Sequence, residues 1–377
     1  MKAARWGDVC RLHYGKALRD YPAEPSESEP IRVYGTNGPI GWTTQPLSLK
    51  PGIIIGRKGA YRGVHFSAEP FFVIDTAYYL ELTSKEVDLR WVHYKLLTVD
   101  INRMDVGAAI PTTNRDEFYG LQFFYPALQI QTKIANILSA YDDLIENNRR
   151  RMVLLEEAAR QLYREWFVRL RFPGHEHTRI TNGVPEGWRK ATTFDAMQVM
   201  SGGTPKTTTS DFWDGEIPFY TPKDSVTECY VLDTEKHLTE LGLNNCNSKL
   251  YPKDTVFITA RGTVGNLNLA QRPMAMNQSC YALAGREEIP QKFLFCALRE
   301  AIQQFQQHAV GAVFDAIIVD TFKLIPFVIP NPKLVRSFEE NIEPMFRHIE
   351  NLLQQNQKLK AARDLLLPRL MSGDLAS

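Results

Sequence analysis

Two short loops concentrate basic side chains on glycine-rich backbone: Arg57-Lys58-Gly59-Ala60-Tyr61-Arg62-Gly63 and Arg261-Gly262-Thr263-Val264-Gly265. Glycine lets the main chain adopt left-handed turns and approach a bound group closely. Arg, Lys and free backbone N–H groups are the donors that hold a phosphate. The same residues also suit a purely structural turn, with the arginine paired to a nearby acid. Metal and redox chemistry are poorly supplied. The five cysteines, Cys10, Cys229, Cys246, Cys280 and Cys296, are odd in number and form no Cys-x-x-Cys pair. They fit packed or exposed thiols in a reducing compartment, not zinc sites or disulfides. His175-Glu176-His177 lies in a polar stretch without a partnering Cys or Asp array and reads as a solvated loop.

The elements around the basic loops occur twice. Gly52-Ile53-Ile54-Ile55-Gly56 precedes the first loop and Asp75-Thr76-Ala77-Tyr78-Tyr79-Leu80 follows it. Asp254-Thr255-Val256-Phe257-Ile258-Thr259 precedes the second, and Gln278-Ser279-Cys280-Tyr281-Ala282-Leu283 follows it. One offset, 203, aligns Gly59 with Gly262, Tyr78 with Tyr281 and Leu80 with Leu283. Such self-similarity marks a duplicated unit, at a period far too long for a solenoid. The apolar runs Ile53-Ile54-Ile55, Phe71-Phe72-Val73-Ile74 and Val256-Phe257-Ile258 have strand length and sit between Gly and Pro breakers. Gln291 to Gln307 has helical spacing at Phe295, Leu298, Ile302 and Phe305. A turn-rich linker, Phe172-Pro173-Gly174 through Pro185-Glu186-Gly187-Trp188, leads into the second globule.

Each globule is followed by a long helical stretch, from Pro126 to about Arg171 and from Pro332 to about Leu367. The first has a seam at Ile130, Ile134, Ile137, Tyr141, Leu144, Asn148, Met152, Leu155, Ala159, Leu162 and Trp166. Its steps of 3, 4 and 4 from Tyr141 to Met152 predict a local relaxation of the left-handed supercoil. The second has Phe338, Ile342, Met345, Ile349, Leu352, Asn356, Leu359 and Leu366, with Pro344 expected to kink it or mark a late start. Antiparallel pairing puts Asn148 and Asn356 at similar heights, where either the two amides meet and fix register or each faces solvent at the seam edge. Arg149-Arg150-Arg151 reads as an exposed face, with tracking of a DNA backbone as the alternative.

The chain has 377 residues, 44% hydrophobic and 23% charged, enough for two or three domains with real cores. Its net charge of +1, from 44 basic and 43 acidic residues, neither favours nor excludes nucleic acid. No apolar run approaches the ~20 residues of a membrane span. The first residues, Met1-Lys2-Ala3-Ala4-Arg5-Trp6, lack the apolar block of a signal peptide, so a cytoplasmic protein is expected.

The second globule opens with Ser201-Gly202-Gly203-Thr204-Pro205-Lys206, then Phe212-Trp213-Asp214-Gly215-Glu216-Ile217-Pro218-Phe219-Tyr220-Thr221-Pro222-Lys223-Asp224. These blocks resemble the specificity subunits of type I restriction-modification systems. So do Ala260-Arg261-Gly262-Thr263-Val264-Gly265, Asn277-Gln278-Ser279-Cys280-Tyr281 and the C-terminal Arg363-Asp364-Leu365-Leu366-Leu367-Pro368-Arg369-Leu370-Met371-Ser372-Gly373. Ala158-Ala159-Arg160-Gln161-Leu162-Tyr163-Arg164-Glu165-Trp166-Phe167-Val168 looks like the family's central repeat, and Tyr34-Gly35-Thr36-Asn37-Gly38-Pro39-Ile40-Gly41 like its first target-recognition domain. The first globule lacks the Ser-Gly-Gly-Thr-Pro opening, so the two domains are expected to differ in subtype and half-site.

The resemblance implies an α+β protein: two globular α/β-type target-recognition domains separated by two long helices that form an antiparallel coiled coil. The expected segments are 1–125 for the first domain, 126–184 for the central helix and linker, 185–331 for the second domain and 332–377 for the C-terminal helix. It implies a non-catalytic subunit that reads a bipartite, asymmetric site on double-stranded DNA. A helix of this length spans ~50–55 Å, which suits heads entering the major groove about one turn apart, ~34–36 Å. The implied partners are two methyltransferase subunits and restriction motor-nuclease subunits. S-adenosylmethionine, ATP and Mg belong on those partners, with no cofactor on this chain. The DNA-contact candidates are Tyr34, Thr36, Asn37, Arg57, Lys58, Tyr61 and Arg62 in the first domain, and Thr204, Lys206, Thr221, Lys223, Asp224, Arg261 and Thr263 in the second. An asparagine can bond an adenine edge in bidentate fashion, but it is also a common turn residue; Asn277-Gln278 fits a strand cap. Catalytic readings fail on motif. Asn331-Pro332-Lys333 breaks the Asn/Asp-Pro-Pro-aromatic pocket of an adenine methyltransferase, and neither Gly-Gly-Thr nor Arg-Gly-Thr ends as a nucleotide-triphosphate loop does. A coiled-coil scaffold that binds proteins is the non-enzymatic alternative, separated from DNA binding by salt titration.

Overall fold

The computed structural model describes residues 1–23, 25–104, 111–286, 289–309 and 316–374. The chain divides into two compact units, Met1–Ile145 with Gln357–Ser377, and Glu146–Asn356. The division cuts through both long helices, Leu128–Tyr163 and Pro332–Ser372.

In the first unit a four-stranded antiparallel sheet runs Cys10–Tyr14, Ala77–Leu82, Gly52–Gly56, Val64–Ser67 in spatial order. A three-stranded sheet, Gly38–Thr43, Ile31–Gly35, Phe71–Val73, includes a parallel pair between its last two strands. Gly52–Gly56 is buried along its whole length, as expected of an unbroken apolar triplet in a central strand. Strand Lys2–Arg5 pairs with Gln122–Tyr125, which brings Trp6 onto Phe123, ring to ring at 4.1 Å. Helix Leu89–Leu97 starts where the Asp88 carboxylate accepts from the Trp91 N–H (2.8 Å).

The second unit repeats this plan. Its five-stranded sheet is ordered Met197–Ser201, Cys280–Gly285, Val256–Thr259, Leu267–Ala270, Tyr230–Val231, and a three-stranded sheet is built on Trp213–Tyr220. The offset of 203 is a register. Ile53, Ile54 and Ile55 face Leu80, Tyr79 and Tyr78, and Val256, Phe257 and Ile258 face Leu283, Ala282 and Tyr281. The parallel pairs also correspond, Tyr34 with Val73 and Tyr220 with Met276. Helix Gln291–Ala309 covers the predicted helical stretch.

The long helices pair antiparallel within each unit. In the first, Arg363 bonds Asp142, which also accepts from the Tyr94 hydroxyl, while Ile134, Ala135 and Leu138 share a core with Leu370 and Met371. In the second, Arg151 meets His348 (3.1 Å), and Tyr163 packs edge-on against Phe338 at 5.8 Å. The seam is shifted from the expected one: Ile130, Ile137 and Leu144 are exposed. Leu138 and Ile145 are buried in their place, in heptad steps with Met152, Ala159 and Trp166 of the expected seam. Pro344 neither interrupts nor delays its helix, which runs from Pro332 to Ser372. Pro344 and Glu340, whose carbonyl loses its donor, both lie on the solvent side, where water can replace the missing bond. Each long helix also meets the start of a domain helix. The Gln131 amide oxygen accepts from Asp88 N–H (2.9 Å), and the Glu339 carboxylate from Phe293 N–H (3.1 Å). Burial pushes the Glu339 carboxyl up to about 7. No helix among the described residues is long and apolar enough to cross a membrane.

The Asn148 amide donates to the Asn356 carbonyl oxygen at 2.9 Å, as the antiparallel register predicts. Asn148→Leu deprives Asn356 of that partner and is expected to lower stability by about 1–2 kcal/mol. Adding Asn356→Leu should recover much of the loss. A urea-unfolding double-mutant cycle that gives a coupling below about 0.5 kcal/mol would sink the register role.

Candidate nucleic-acid interface

In the first unit three loops converge at one end of the sheets. The Thr36 hydroxyl lies 2.7 Å from the carbonyl oxygens of both Lys58 and Thr76, and the Thr36 carbonyl accepts from Gly63 N–H (3.0 Å). Asn37, oriented to donate, reaches the Tyr61 carbonyl at 2.6 Å. Gly59 holds φ +122, so the Arg-Lys-Gly turn needs a residue without a Cβ. Asn37 and the Tyr61 ring are exposed on this surface, while Lys58, paired with Asp75 (3.7 Å), and Arg57, whose Nη1 donates to the Asp75 carbonyl (3.0 Å), are half-buried. Burial pushes the Tyr78 phenol up and Tyr14 adds to the shift, while Arg57 opposes it.

Two candidates of the first domain lie inside it. Tyr34 is buried, its ring edge-on to Phe71, on the middle strand of its sheet, where Val33 and Gly35 are buried too. Arg62 is 2% exposed, and its guanidinium donates to the carbonyls of Gly59, Ile101, Asn102 and Met104. It clamps the loop from within and has no free donor face for DNA.

In the second unit Thr204, Thr221, Lys223, Asp224 and Arg261 line one concavity of about 490 Å3. Lys206 and Thr263 are exposed nearby but do not line it. Gly262, the counterpart of Gly59, also has positive φ, +80. The Arg261 guanidinium is exposed and forms no ion pair among the described residues. Asp224 is committed to its own loop: one oxygen accepts from Thr221 N–H (2.9 Å) and hydroxyl (2.6 Å), the other from Glu235 N–H (2.7 Å). It shapes the rim rather than offering a free carboxylate. The Thr204 hydroxyl donates to the Gln278 side-chain oxygen. Sequence reasoning missed Trp213 and Lys236, which also line the concavity, the ammonium 5.5 Å from the indole centroid. Asn277 lines it too, and its side chain accepts from Ser279 N–H (3.0 Å), a turn-forming bond.

The absent Ser-Gly-Gly-Thr-Pro block has a geometric counterpart. Gly203 N–H donates to the Met276 carbonyl and Lys16 N–H to the Val73 carbonyl, at matching positions of the duplication. Among the described residues there is no group of His, Cys, Asp and Glu that could hold a metal, and His175-Glu176-His177 forms a short exposed turn.

A sequence profile described as the type I restriction modification DNA specificity domain matches residues 2–157 and again 185–359. The chain belongs to that family. The two matched stretches each take in one globule and run into one long helix, so the internal repeat is two copies of the specificity domain. The MjaIX type I restriction enzyme specificity subunit of Methanocaldococcus jannaschii is 25% identical over 277 residues, 71% of this chain and 64% of that protein. The HindI specificity subunit of Haemophilus influenzae is 21% identical over 327 residues, 70% of this chain and 71% of that protein. The match thus spans less than two thirds of the MjaIX subunit. The crystal structure of a type I restriction-modification S subunit from M. genitalium shares the fold, with a TM-score of 0.58 at 17% identity, covering 98% of this chain and 95% of that one. Against this specificity-domain frame, the basic positive-φ loops stand at the same strand register in both copies.

Proposed function

We propose that this chain is the non-catalytic sequence-recognition subunit of a type I restriction-modification complex, with each globule reading one half of a split, asymmetric site on double-stranded DNA. The observation that carries the reading is the duplicated loop: basic residues on a left-handed glycine turn, at one register, in both specificity domains. The globules, 1–125 and 185–331, are the reading heads, and segments 126–184 and 332–377 connect them and set the unread gap. The helical segments dock two methyltransferase subunits, and restriction motor-nuclease subunits join that core. S-adenosylmethionine, ATP and Mg are bound by those partners. The site residues of the reading are Asn37, Arg57, Lys58 and Tyr61 in the first head, and Thr204, Lys206, Lys223, Arg261 and Thr263 in the second. Thr36, Thr221 and Asp224 hold their loops.

Methylome sequencing of cells carrying this chain with its methyltransferase should show one bipartite motif, and duplex binding should weaken by orders of magnitude over a modest rise in salt. Arg261→Ala should cost about 1–3 kcal/mol of binding and relax sequence preference in one half-site, leaving the other half unchanged. Uniform loss of affinity with both preferences intact would make Arg261 a phosphate contact and not a reader. Binding indifferent to salt would point to the protein scaffold.

A further inference from the structure

The first domain carries a cluster that the second lacks. Strand Cys10–Tyr14 ends with Tyr14 opposite Tyr78; at the matching place Ser201 stands opposite Tyr281. Arg57 follows Gly56 of the central strand, and Ala260 follows Thr259. Tyr14 is 48% exposed, and two guanidiniums lie over its ring, Arg57 at 4.7 Å and Arg115 at 5.3 Å from the centroid. The Tyr78 ring closes the cluster, 5.1 Å from Tyr14. Arg57 is tied down by its bond to the Asp75 carbonyl, and its Nε is covered with no acceptor. Among the described residues neither arginine forms an ion pair. Two like charges gathered on one exposed ring repel each other, and an aromatic face neutralises neither. An anion between the two guanidiniums would offset that repulsion.

We propose that Tyr14, Arg57 and Arg115 are the phosphate anchor of the first domain, a contact to the DNA backbone that positions this head without reading sequence. This rests on the DNA-recognition reading above. A guanine edge takes one arginine in bidentate fashion, and a base reader must extend into the groove. Arg57 is instead held between the Tyr14 ring and the Asp75 carbonyl, and a second guanidinium shares its platform. Paired, pre-oriented forks suit phosphate oxygens. Tyr14 is a positioning residue: it holds both forks and need not touch the DNA.

The test measures binding of the full chain to random-sequence duplex and to the motif found by methylome sequencing, each across a range of salt. Arg115→Ala should weaken both by the same factor, about five- to tenfold, reduce the log–log salt slope by about one, and leave the modified motif unchanged. Arg115→Lys should keep the slope. Tyr14→Phe should behave as the parent and Tyr14→Leu should lose affinity for both duplexes, which separates the platform from the hydroxyl. A changed base preference in the first half-site on Arg115→Ala overturns the proposal in favour of reading. Unchanged affinity and slope overturn it outright. A parent chain without salt-dependent duplex binding would instead overturn the DNA reading itself.

Discussion

Arg62→Ala is expected to destabilise the first unit by about 3–5 kcal/mol, one of the largest single effects in the chain. The side chain is 2% exposed, and no carboxylate among the described residues forms an ion pair with it. Its charge is met by carbonyl oxygens. Nη2 donates to Ile101 (3.1 Å), Asn102 (2.9 Å) and Met104 (3.3 Å), and Nη1 to Gly59 (3.4 Å). Its backbone N–H donates to the Asn102 side-chain oxygen (2.8 Å), and its carbonyl accepts from the Asn102 amide (3.2 Å). Ile101 and Met104 are themselves buried, so their carbonyls have no water to turn to once the fork is removed. Each buried acceptor left unmade costs about 1–3 kcal/mol. Arg62→Lys should not rescue, because a single ammonium cannot span acceptors arranged for a planar fork. Amide hydrogen exchange reads the result: Gly52–Gly56 should lose protection while Val256–Thr259 keeps it. A variant with parental exchange in both strands would show that the clamp supports nothing.

Arg62 also marks where sequence reasoning reached its limit. Its neighbours Arg57 and Lys58 have the same chemistry on the same glycine-rich turn, and what separates them is a stretch of carbonyls near residue 102 that local sequence does not reveal. Tyr34 was hidden by its place in a strand that is buried on both faces from Val33 to Gly35, between partners that local sequence does not reveal. Trp213 and Lys236 come together only because strands Trp213–Tyr220 and His237–Leu238 pair, bringing distant residues side by side. The long-helix seam was displaced for another reason. Ile137-Leu138 and Leu144-Ile145 are adjacent apolar pairs, so two neighbouring stripes are almost equally apolar, and the partner helix decides which is buried. What was legible depended on repetition and length: the apolar triplets, the 203-residue offset and the matched Asn148 and Asn356 heights each rest on more than one residue agreeing.

Gly15→Ala and Gly202→Ala are expected to damage one unit each, and for a steric reason distinct from that of Gly59 and Gly262. Neither Gly15 nor Gly202 has positive φ, so neither is needed for backbone conformation. Each is needed for space. A Cβ on Gly15 would lie 2.0 Å from the Ile74 carbonyl oxygen, and one on Gly202 would lie 2.2 Å from that of Asn277. The obstacle is backbone held by strand pairing, which cannot swing aside as a side-chain tip would. The strands must separate, and overpacking of this kind costs about 1–3 kcal/mol or more. The damage falls on the recognition surfaces. Gly202 precedes Thr204 and faces Asn277, both on the rim of the second-domain concavity. Gly15 follows Tyr14, the platform for Arg57 and Arg115. Gly202→Ala should therefore erase sequence preference in one half-site and lower exchange protection in Cys280–Gly285. Gly15→Ala should weaken binding to all duplexes and lower protection in Ala77–Leu82. If both variants keep parental protection and binding, the close approach is not what the Gly-Gly block provides. If they fail in their own units as described, the glycine of that block is a spacing requirement shared by both domains, and the residues around it are free to differ with the bases each domain reads.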